Sequence, residues 1–262
     1  MNVLHEDNHL LVVNKPAGIA TMGAQQPSDS LHAMATEYLK HRYNKPGNAF
    51  VGVVSRLDTV TSGVIVLAKT SKAASRLSDQ IRRGSQFAAS RIADLGTGTN
   101  LSRDALEECL ARVPFHKTYV ALLEHPPADQ SGVLLDWMYK DDAARRMRCR
   151  ERGKSSTDQD RAAVLAYQMQ QDQALNATFA ALGGHPVCIH LLTGRKHQIR
   201  VQMQHHGHAI LGDHKYGSTI DFPGWHPGEP PRIALHSRTL RFHHPTLKTE
   251  LEFTASAPWE PQ

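Results

Sequence analysis

The stretch Arg56-Leu57-Asp58-Thr59-Val60-Thr61-Ser62-Gly63 decides how this chain is interpreted. It places one carboxylate between two short apolar runs, residues 50–54 and 63–68, of the kind that form buried strands. Asp58 is therefore predicted to lie on a short loop held by rigid sheet elements, where catalytic groups are often found. An Asp between two strands more often caps a turn, so this loop alone does not establish a function.

Five further segments, together with this loop, make the sequence resemble the RluA-type pseudouridine synthase family. They are HEDNHLLVVNKPAG (residues 5–18), HKTYVAL (116–122), LTGRKHQIR (192–200), LGDHKYG (211–217) and LHSRTLRFHHP (235–245). All six lie in the family's order along the chain, which makes the resemblance specific. The sequence departs from the family at Ser55, because His usually precedes the Arg-Leu-Asp triplet. This departure concerns a local contact and not the nucleophile.

The resemblance implies three catalytic roles. Asp58 matches the family's nucleophile, which attacks C6 of the uracil or C1′ of the ribose, or assists elimination to a glycal; the sequence leaves these routes open. Arg200 matches the arginine that keeps the aspartate ionised against desolvation. Tyr119 matches a tyrosine that packs against the flipped uracil. By residue type alone, Arg200 would be a solvated helix cation and Tyr119 a core residue.

The resemblance also predicts contacts with RNA. Arg56 matches an arginine that lies beside the target base and occupies the gap left when the base flips out. The other predicted substrate-binding residues are Thr61, Lys117, Arg195, His197 and Gln198. Pseudouridine formation breaks a C–N bond and rejoins the base through carbon without redox change. We therefore expect no metal, nucleotide or redox cofactor.

Length and composition indicate an ordinary globular protein. The chain has 262 residues, of which 40% are hydrophobic and 21% charged. No apolar run approaches the roughly 20 residues of a membrane span. The N-terminus carries Glu6 and Asp7 rather than a secretion signal. Cys109, Cys149 and Cys188 are widely spaced and are predicted to be reduced thiols, so we expect a cytoplasmic protein with no membrane partner.

The charge balance is compatible with a polyanionic partner. There are 30 Lys and Arg against 25 Asp and Glu, for a net charge of +5. Two basic zones are candidates for contacts with the RNA backbone: residues 145–154, and a second zone formed by Arg195, Lys196, His197 and Lys215. The first zone is equally well explained as a solvated strand face, because Asp141, Asp142 and Glu151 offset part of its charge.

The hydrophobic pattern predicts an α+β fold with a mixed sheet. The predicted strands cover residues 10–13, 50–54, 63–68, 118–123, 163–168, 178–182, 187–192, 235–242 and 249–255. The predicted helices begin after Ser28 or Ser30, run from Ser71 to Gly84, from Ser102 to Leu110, and from Lys196 to His206 with Gly207 at the end. Strands and helices without regular alternation are typical of α+β domains. The resemblance implies that this sheet is central and largely antiparallel, with flanking helices and an RNA-binding cleft across it.

The chain is predicted to form a single catalytic domain over residues 1–262. It enters the family pattern at His5, so we expect no separate amino-terminal RNA-binding domain. Residues 85–115 interrupt the pattern with the breaker cluster Gly96-Thr97-Gly98-Thr99-Asn100, and are predicted to be an insertion. This insertion is either a surface ornament or a flap that contacts RNA. We expect the protein to act as a monomer.

Two alternative functions fit the sequence less well. A catalytically silent RNA-binding module or RNA chaperone would use the same cleft, but Asp58, Tyr119 and Arg200 are all present. A hydrolase built on Ser62 or Ser237 would need a context such as Gly-x-Ser-x-Gly, which the sequence lacks. The histidines show no metal-binding spacing of the His-Glu-x-x-His type, so no metal site is predicted. The residues favour a pseudouridine synthase acting on ribosomal or transfer RNA.

Overall fold

A computed structural model describes residues 1–24, 26–44, 46–95, 103–150, 160–171, 176, 179–222 and 224–260. The strands are β1 (Asn2–Glu6), β2 (Leu10–Lys15), β3 (Gly52–Val53), β4 (Ser62–Ala68), β5 (Phe115–Leu123), β6 (Ser131–Asp141), β7 (Arg146–Arg150), β8 (Arg161–Met169), β9 (His185–Leu191), β10 (Leu235–His243) and β11 (Glu250–Thr254). The helices are α1 (Leu31–Arg42), α2 (Ser71–Leu95), α3 (Arg103–Arg112) and α4 (Gln198–His205). Short 3₁₀ turns cover Pro27–Asp29 and His214–Tyr216.

All of these strands belong to one sheet. Its order is β1-β2-β4-β10-β5-β9-β8-β6-β7, with β3 paired to β4 and β11 paired to β10. The pairing of β10 with β4 is parallel, and every other pairing among the described strands is antiparallel. The predicted α+β fold with a mixed, largely antiparallel sheet is therefore confirmed.

The core lies on both faces of this sheet. In β2 and β4 the even-numbered apolar residues pack against α2, and the odd-numbered ones pack in the same cluster as α1. This division follows from the two-residue period of a strand. Burial on both faces explains why the two strands are continuous apolar runs rather than alternating ones. Asp58 lies in the connection between β3 and β4 and is therefore supported by the most buried strands of the sheet.

Two predicted helix boundaries agree with the structure. Ser30 is the N-cap of α1, since its hydroxyl accepts a hydrogen bond from Ala33 N at 3.2 Å. Gly207 follows the end of α4 with φ of +87°, and His208 N closes the helix on Met203 O at 2.8 Å. The second of these boundaries matters for function, because α4 carries Arg200.

Two other predictions are wrong. Helix α2 does not end at Gly84 but continues to Leu95. Gly84 serves close packing instead, because a Cβ there would lie 3.0 Å from Cγ1 of Val113. The predicted strand over residues 178–182 is also wrong in its described part: Phe179 and Ala180 are helical and a turn follows. A short apolar run does not by itself distinguish a strand from a buried helical turn.

The sequence pattern also left strands unassigned. Strands β6 and β7 were not predicted as elements, because their exposed positions break the apolar alternation.

The insertion predicted over residues 85–115 stays a prediction. Residues 85–95 are helical, and residues 96–102 lie outside the described residues. In the described part of the chain, no helix combines the length and hydrophobicity that a bilayer span requires.

Gly63 allows two strands to meet beside the Asp58 loop. Strand β10 pairs with β4 at His236 and Ser237 and then, after an irregularity at Arg238, with β11. Gly63 has φ of +121°, and a Cβ there would lie 2.3 Å from the carbonyl oxygen of Ser237. The backbone of β4 can approach β10 this closely only because residue 63 has no side chain.

We expect Gly63→Ala to lower the free energy of unfolding by more than about 3 kcal/mol, because it combines a disfavoured φ with a backbone clash. Urea denaturation followed by circular dichroism measures this change. Gly47→Ala is the matched control, since a Cβ at Gly47 meets nothing within 4 Å. An equal, small effect of both substitutions would contradict the proposed close approach.

Candidate active site

The loop before Asp58 is held by a buried hydroxyl. Thr21 Oγ1 donates to Leu57 O at 2.8 Å and accepts from Leu57 N at 3.1 Å, so both backbone groups of Leu57 are fixed. Thr61 N donates to Asp58 O at 3.1 Å and closes the turn on the other side. The side chain of Asp58 is 27% exposed, which leaves it accessible to a substrate.

Arg200 connects Asp58 with a second carboxylate. Its Nη1 donates to Asp58 Oδ2 at 2.9 Å. Its Nε and Nη2 donate to Oδ2 and Oδ1 of Asp213 at 2.7 and 2.8 Å, which is a bidentate pair. Asp213 is 2% exposed and Arg200 6%. The bidentate pair fixes the orientation of the guanidinium, and the remaining nitrogen is directed at Asp58.

Arg200 remains charged although it is buried. Burial opposes the charge, but the hydrogen bonds and charges of Asp213 and Asp58 outweigh burial and raise the pKa of Arg200 above its ordinary value. The ring of Tyr216 also lies 4.9 Å from the guanidinium carbon. The site therefore contains a permanent, oriented positive charge next to Asp58.

His197 approaches Asp58 from the other side. It immediately precedes α4 in the left-handed region, with φ of 57°, a conformation that costs a non-glycine residue about 1 kcal/mol or more. Its Nε2 lies 3.9 Å from Asp58 Oδ1, and its Nδ1 lies 2.7 Å from Tyr216 Oη. Burial lowers the pKa of His197 to about 4, while the charge of Asp58 acts in the opposite direction. The imidazole is thus neutral near pH 7.

The hydrogen bonds around Tyr216 favour one tautomer of His197. Met147 N donates to Tyr216 Oη at 3.3 Å, so the phenol is an acceptor in that contact. Its single proton is then available for Nδ1 of His197. This arrangement favours the tautomer of His197 that carries its proton on Nε2, the nitrogen that faces Asp58.

Tyr119 lies on β5 opposite Ser237 of β10 and is 5% exposed. Burial, followed by the charge of Asp58, raises the pKa of Tyr119 above its ordinary value, and a hydrogen bond with Ser237 opposes this shift. The phenol is thus protonated near neutral pH and close enough to Asp58 to respond to its charge. The structure brings together all three residues predicted to be catalytic.

Lys15 is a buried cation near Asp58 that the sequence analysis did not assign. It is fully buried at the end of β2, and its ammonium group donates to Pro16 O and Ile19 O, both at 2.8 Å. Burial lowers the pKa of Lys15 to about 8, and the charge of Asp58 opposes that shift. Lys15 lies in the segment HEDNHLLVVNKPAG (residues 5–18), and its place in that family segment was the signal in the sequence that could have identified it.

Asp213 and Tyr216 were also missed as site residues. Both lie in LGDHKYG (residues 211–217), a segment that supports the family resemblance but to which no role in the site was assigned. Tyr216 ends a 3₁₀ turn that places its hydroxyl against His197. Their roles depend on contacts with α4, and sequence spacing alone does not specify these contacts.

Gln198 and Arg195 have structural contacts. The amide of Gln198 donates to Val164 O and Gln202 Oε1, and accepts from Thr193 Oγ1 and Arg195 N, with all four distances between 2.9 and 3.0 Å. These contacts fill the hydrogen-bonding capacity of the amide, so a contact with substrate would have to break one of them. Arg195 is half-buried and its Nε donates to Ala162 O at 3.0 Å.

The other predicted substrate-binding residues occupy different environments. Arg56 is exposed, two residues before Asp58. Thr61 is 2% exposed, and its hydroxyl has no hydrogen-bond partner among the described residues. The ammonium group of Lys117 lies 5.6 Å from the ring centre of Phe115, and burial lowers the pKa of Lys117 to about 8. Of these three, Arg56 is the side chain that solvent and RNA reach most easily.

Ser62 and His236 are close together, but their surroundings do not favour hydrolysis. Ser62 Oγ lies 2.8 Å from His236 Nδ1, and His236 Nε2 lies 3.0 Å from Ala255 O. Both residues line a cavity of about 620 Å³ that Lys15 also borders. Asp58 and Arg200 do not line this cavity. In the described contacts the imidazole is oriented by a backbone carbonyl rather than by a carboxylate, so the triad expected of a hydrolase is not formed.

The fold places an aspartate beside a fixed arginine, with a buried tyrosine on a neighbouring strand of the same sheet. Comparison with known proteins identifies the class of enzyme that has this arrangement. The protein family described as RNA pseudouridylate synthase matches residues 9–87 and 95–205. The dual-specificity RNA pseudouridine synthase RluA of Pasteurella multocida is 30% identical over 260 residues, which cover 97% of this chain and 92% of the relative. The ribosomal large subunit pseudouridine synthase D of Xylella fastidiosa is 29% identical, and the match covers 98% of this chain but 66% of that relative.

Solved structures show the same fold. The human RNA pseudouridylate synthase domain containing 4 superposes with a TM-score of 0.64 at 23% identity, covering 98% of this chain and 88% of the other. This chain belongs to the RNA pseudouridylate synthase family. It is accordingly an isomerase that acts on RNA, which favours the catalytic interpretation over a silent RNA-binding module.

We expect His197 to be the Nε2–H tautomer at pH 7 and to accept a second proton only near pH 4, because burial lowers its pKa to about 4. Nitrogen-15 chemical shifts of the imidazole, recorded between pH 3 and 8, measure both properties. Tyr216→Phe removes the phenolic proton and should alter the tautomer ratio without unfolding the protein. A wild-type midpoint near 6.5, or an Nδ1–H tautomer, would contradict the inferred hydrogen bonds.

Proposed function

We propose that this protein converts uridine to pseudouridine in structured ribosomal or transfer RNA, with Asp58 as the nucleophile. The observation that carries the proposal is the Arg200–Asp58 pair, in which a guanidinium fixed by Asp213 donates to a carboxylate that is partly open to solvent. A paired carboxylate is ionised and oriented before the substrate arrives. The residues that surround it supply hydrogen bonds and an aromatic ring.

Asp58 acts on a uridine that has left the base stack. Arg56 is exposed on the same loop, two residues away, and is proposed to occupy the position that the base leaves. Ionised Asp58 then attacks C6 of the uracil or C1′ of the ribose, or assists formation of a glycal. In each route the bond between uracil N1 and ribose C1′ breaks, the base turns, and C5 bonds to C1′. C5 loses its hydrogen as a proton and N1 gains a proton, so atoms and electrons balance without a cofactor.

Tyr119 is proposed to pack against the flipped uracil and to take part in proton transfer. Its phenol stays protonated while Asp58 is charged, because burial and that charge both raise the pKa of Tyr119. The product requires C5 to lose a proton and N1 to gain one. The Tyr119 hydroxyl is proposed to relay protons in this exchange.

The exposed cations beside the site are proposed to contact the phosphates. The two predicted basic zones lie next to each other, since Lys215 Nζ reaches Arg145 O at 3.5 Å. Arg148 is paired with Asp141 at 2.6 Å, which favours a solvated strand face for that residue. Arg145, Lys196 and Lys215 are exposed, and the charges of Lys196 and Lys215 act on His197 by lowering its pKa. Arg152 and Lys154 of the first zone lie outside the described residues.

The relatives suggest the class of RNA. One is described as dual-specificity, and others as acting on the ribosomal large subunit. We infer a substrate with an unpaired or easily opened uridine, because a loop presents its bases to such a site more readily than a helix does. We also infer a monomer in the cytoplasm, and the thiols of Cys149 and Cys188 are compatible with a reducing compartment.

We expect Asp58→Asn to lose more than about 10³-fold in rate while folding and RNA affinity are retained, because an amide has nearly the same shape but is a poor nucleophile. Carbodiimide treatment and primer extension map pseudouridines in cells that lack the gene and carry either wild type or this variant. Wild type should restore specific sites and the variant should not. Modification restored by a folded Asp58→Asn protein would refute the nucleophile.

Two substitutions at Tyr119 separate stacking from proton transfer. If the ring alone matters, Tyr119→Phe should keep most of the wild-type rate and Tyr119→Ala should lose it. If the hydroxyl moves a proton, Tyr119→Phe should also stall, after cleavage of the C–N bond. Single-turnover assays with analysis of the products distinguish these cases. Near-native rates in both variants would show that Tyr119 is only a core residue.

A further inference from the structure

A cluster of two imidazoles and one carboxylate lies at the end of α4, away from the residues of the active site. Asp136 on β6 is 3% exposed, and His205 and His206 close α4. One nitrogen or oxygen atom of each side chain lies within 4.8 Å of the other two. Neither the proposed reaction nor the six family segments uses this cluster.

The distances suit a divalent cation better than they suit hydrogen bonds. His206 Nε2 is 3.2 Å from both oxygens of Asp136, and His205 Nε2 is 3.9 Å from Oδ1. A single N–H placed equally far from two acceptors makes a poor hydrogen bond, and 3.9 Å is too long for one. Tetrahedral ligands about 2.1 Å from Zn²⁺ lie about 3.4 Å from one another, a value between the two observed distances.

The surroundings of the cluster resemble a supported metal site. Gln202 Nε2 donates to Asp136 Oδ2 at 2.8 Å and is held in turn by Leu134 O and Ala163 O. Such an outer contact orients a ligating carboxylate. The carboxyl end of a helix favours positive charge. His205 and His206 are 33% and 37% exposed, so an ion can enter and a water molecule can complete the coordination.

We propose that Asp136, His205 and His206 bind one Zn²⁺ ion that joins α4 to β6. One nitrogen of each imidazole and the carboxylate bind the ion, and one coordination position is left for water. Because α4 also carries Arg200, the ion stabilises the helix that orients the proposed nucleophile. The site is structural and lies outside the reaction itself.

The test is a titration of tag-free, chelator-treated protein with zinc sulfate in competition with a chromophoric zinc chelator. Wild type should bind one equivalent with a dissociation constant in the micromolar range or tighter. His205→Ala and His206→Ala should each weaken binding more than about tenfold, and Asp136→Asn should do the same if it folds.

His41→Ala is the matched control, because His41 is an exposed histidine 2.8 Å from a single carboxylate, Glu37, on another helix. It should leave zinc affinity unchanged. Zinc should also raise the melting temperature of wild type and of His41→Ala, but not of His205→Ala. Unchanged affinity in all three cluster variants would place the ion elsewhere and overturn the proposal. Failure of wild type to bind at about 100 μM free zinc would overturn it as well.

Discussion

The guanidinium of Arg200 is shared between two carboxylates, and the proposed active site depends on this arrangement. Asp213 is almost completely buried and occupies two nitrogens, while Asp58 is partly exposed and accepts from the third. Removing one partner of a buried pair costs about 3–5 kcal/mol, so Asp213 holds Arg200 firmly in place. Asp58 receives a fixed positive charge without being fully withdrawn from solvent, as a nucleophile requires.

The order of the strands in the sheet brings the residues of this site together. Arg200 comes from α4, Asp58 from the connection before β4, and Tyr119 from β5, and these elements meet because β4, β10 and β5 are neighbours. Thr21 hydrogen-bonds the backbone of Leu57, and Gly63 lets the backbone of β10 pack closely against β4. The loop that carries Asp58 is therefore held at both ends. Residues far apart in sequence thereby reach hydrogen-bonding distance with little freedom to move.

Apolar periodicity predicted the fold class and most strands, because burial in a sheet leaves a direct pattern in the sequence. It failed at Gly84, where the reason for glycine is Val113, 29 positions later. The three catalytic candidates were found through the resemblance, whereas Asp213 was missed because its pairing with Arg200 is visible only in three dimensions. The cluster of Asp136 with His205 and His206 was missed for the same reason. Asp136 lies on β6, about 70 residues before the two adjacent histidines at the end of α4.

The most direct test of the account is the pH–rate profile of single-turnover pseudouridine formation by Arg200→Lys. A flexible ammonium group does not reproduce the planar fork that Asp213 and Asp58 share, so it should stabilise the charged carboxylate of Asp58 less well. The account predicts a slower reaction whose acidic limb lies at higher pH than in wild type. Arg195→Lys, an equivalent change at the half-buried arginine that contacts Ala162 O, should leave the limb in place. An unchanged rate and an unchanged limb in Arg200→Lys would show that another group keeps Asp58 ionised.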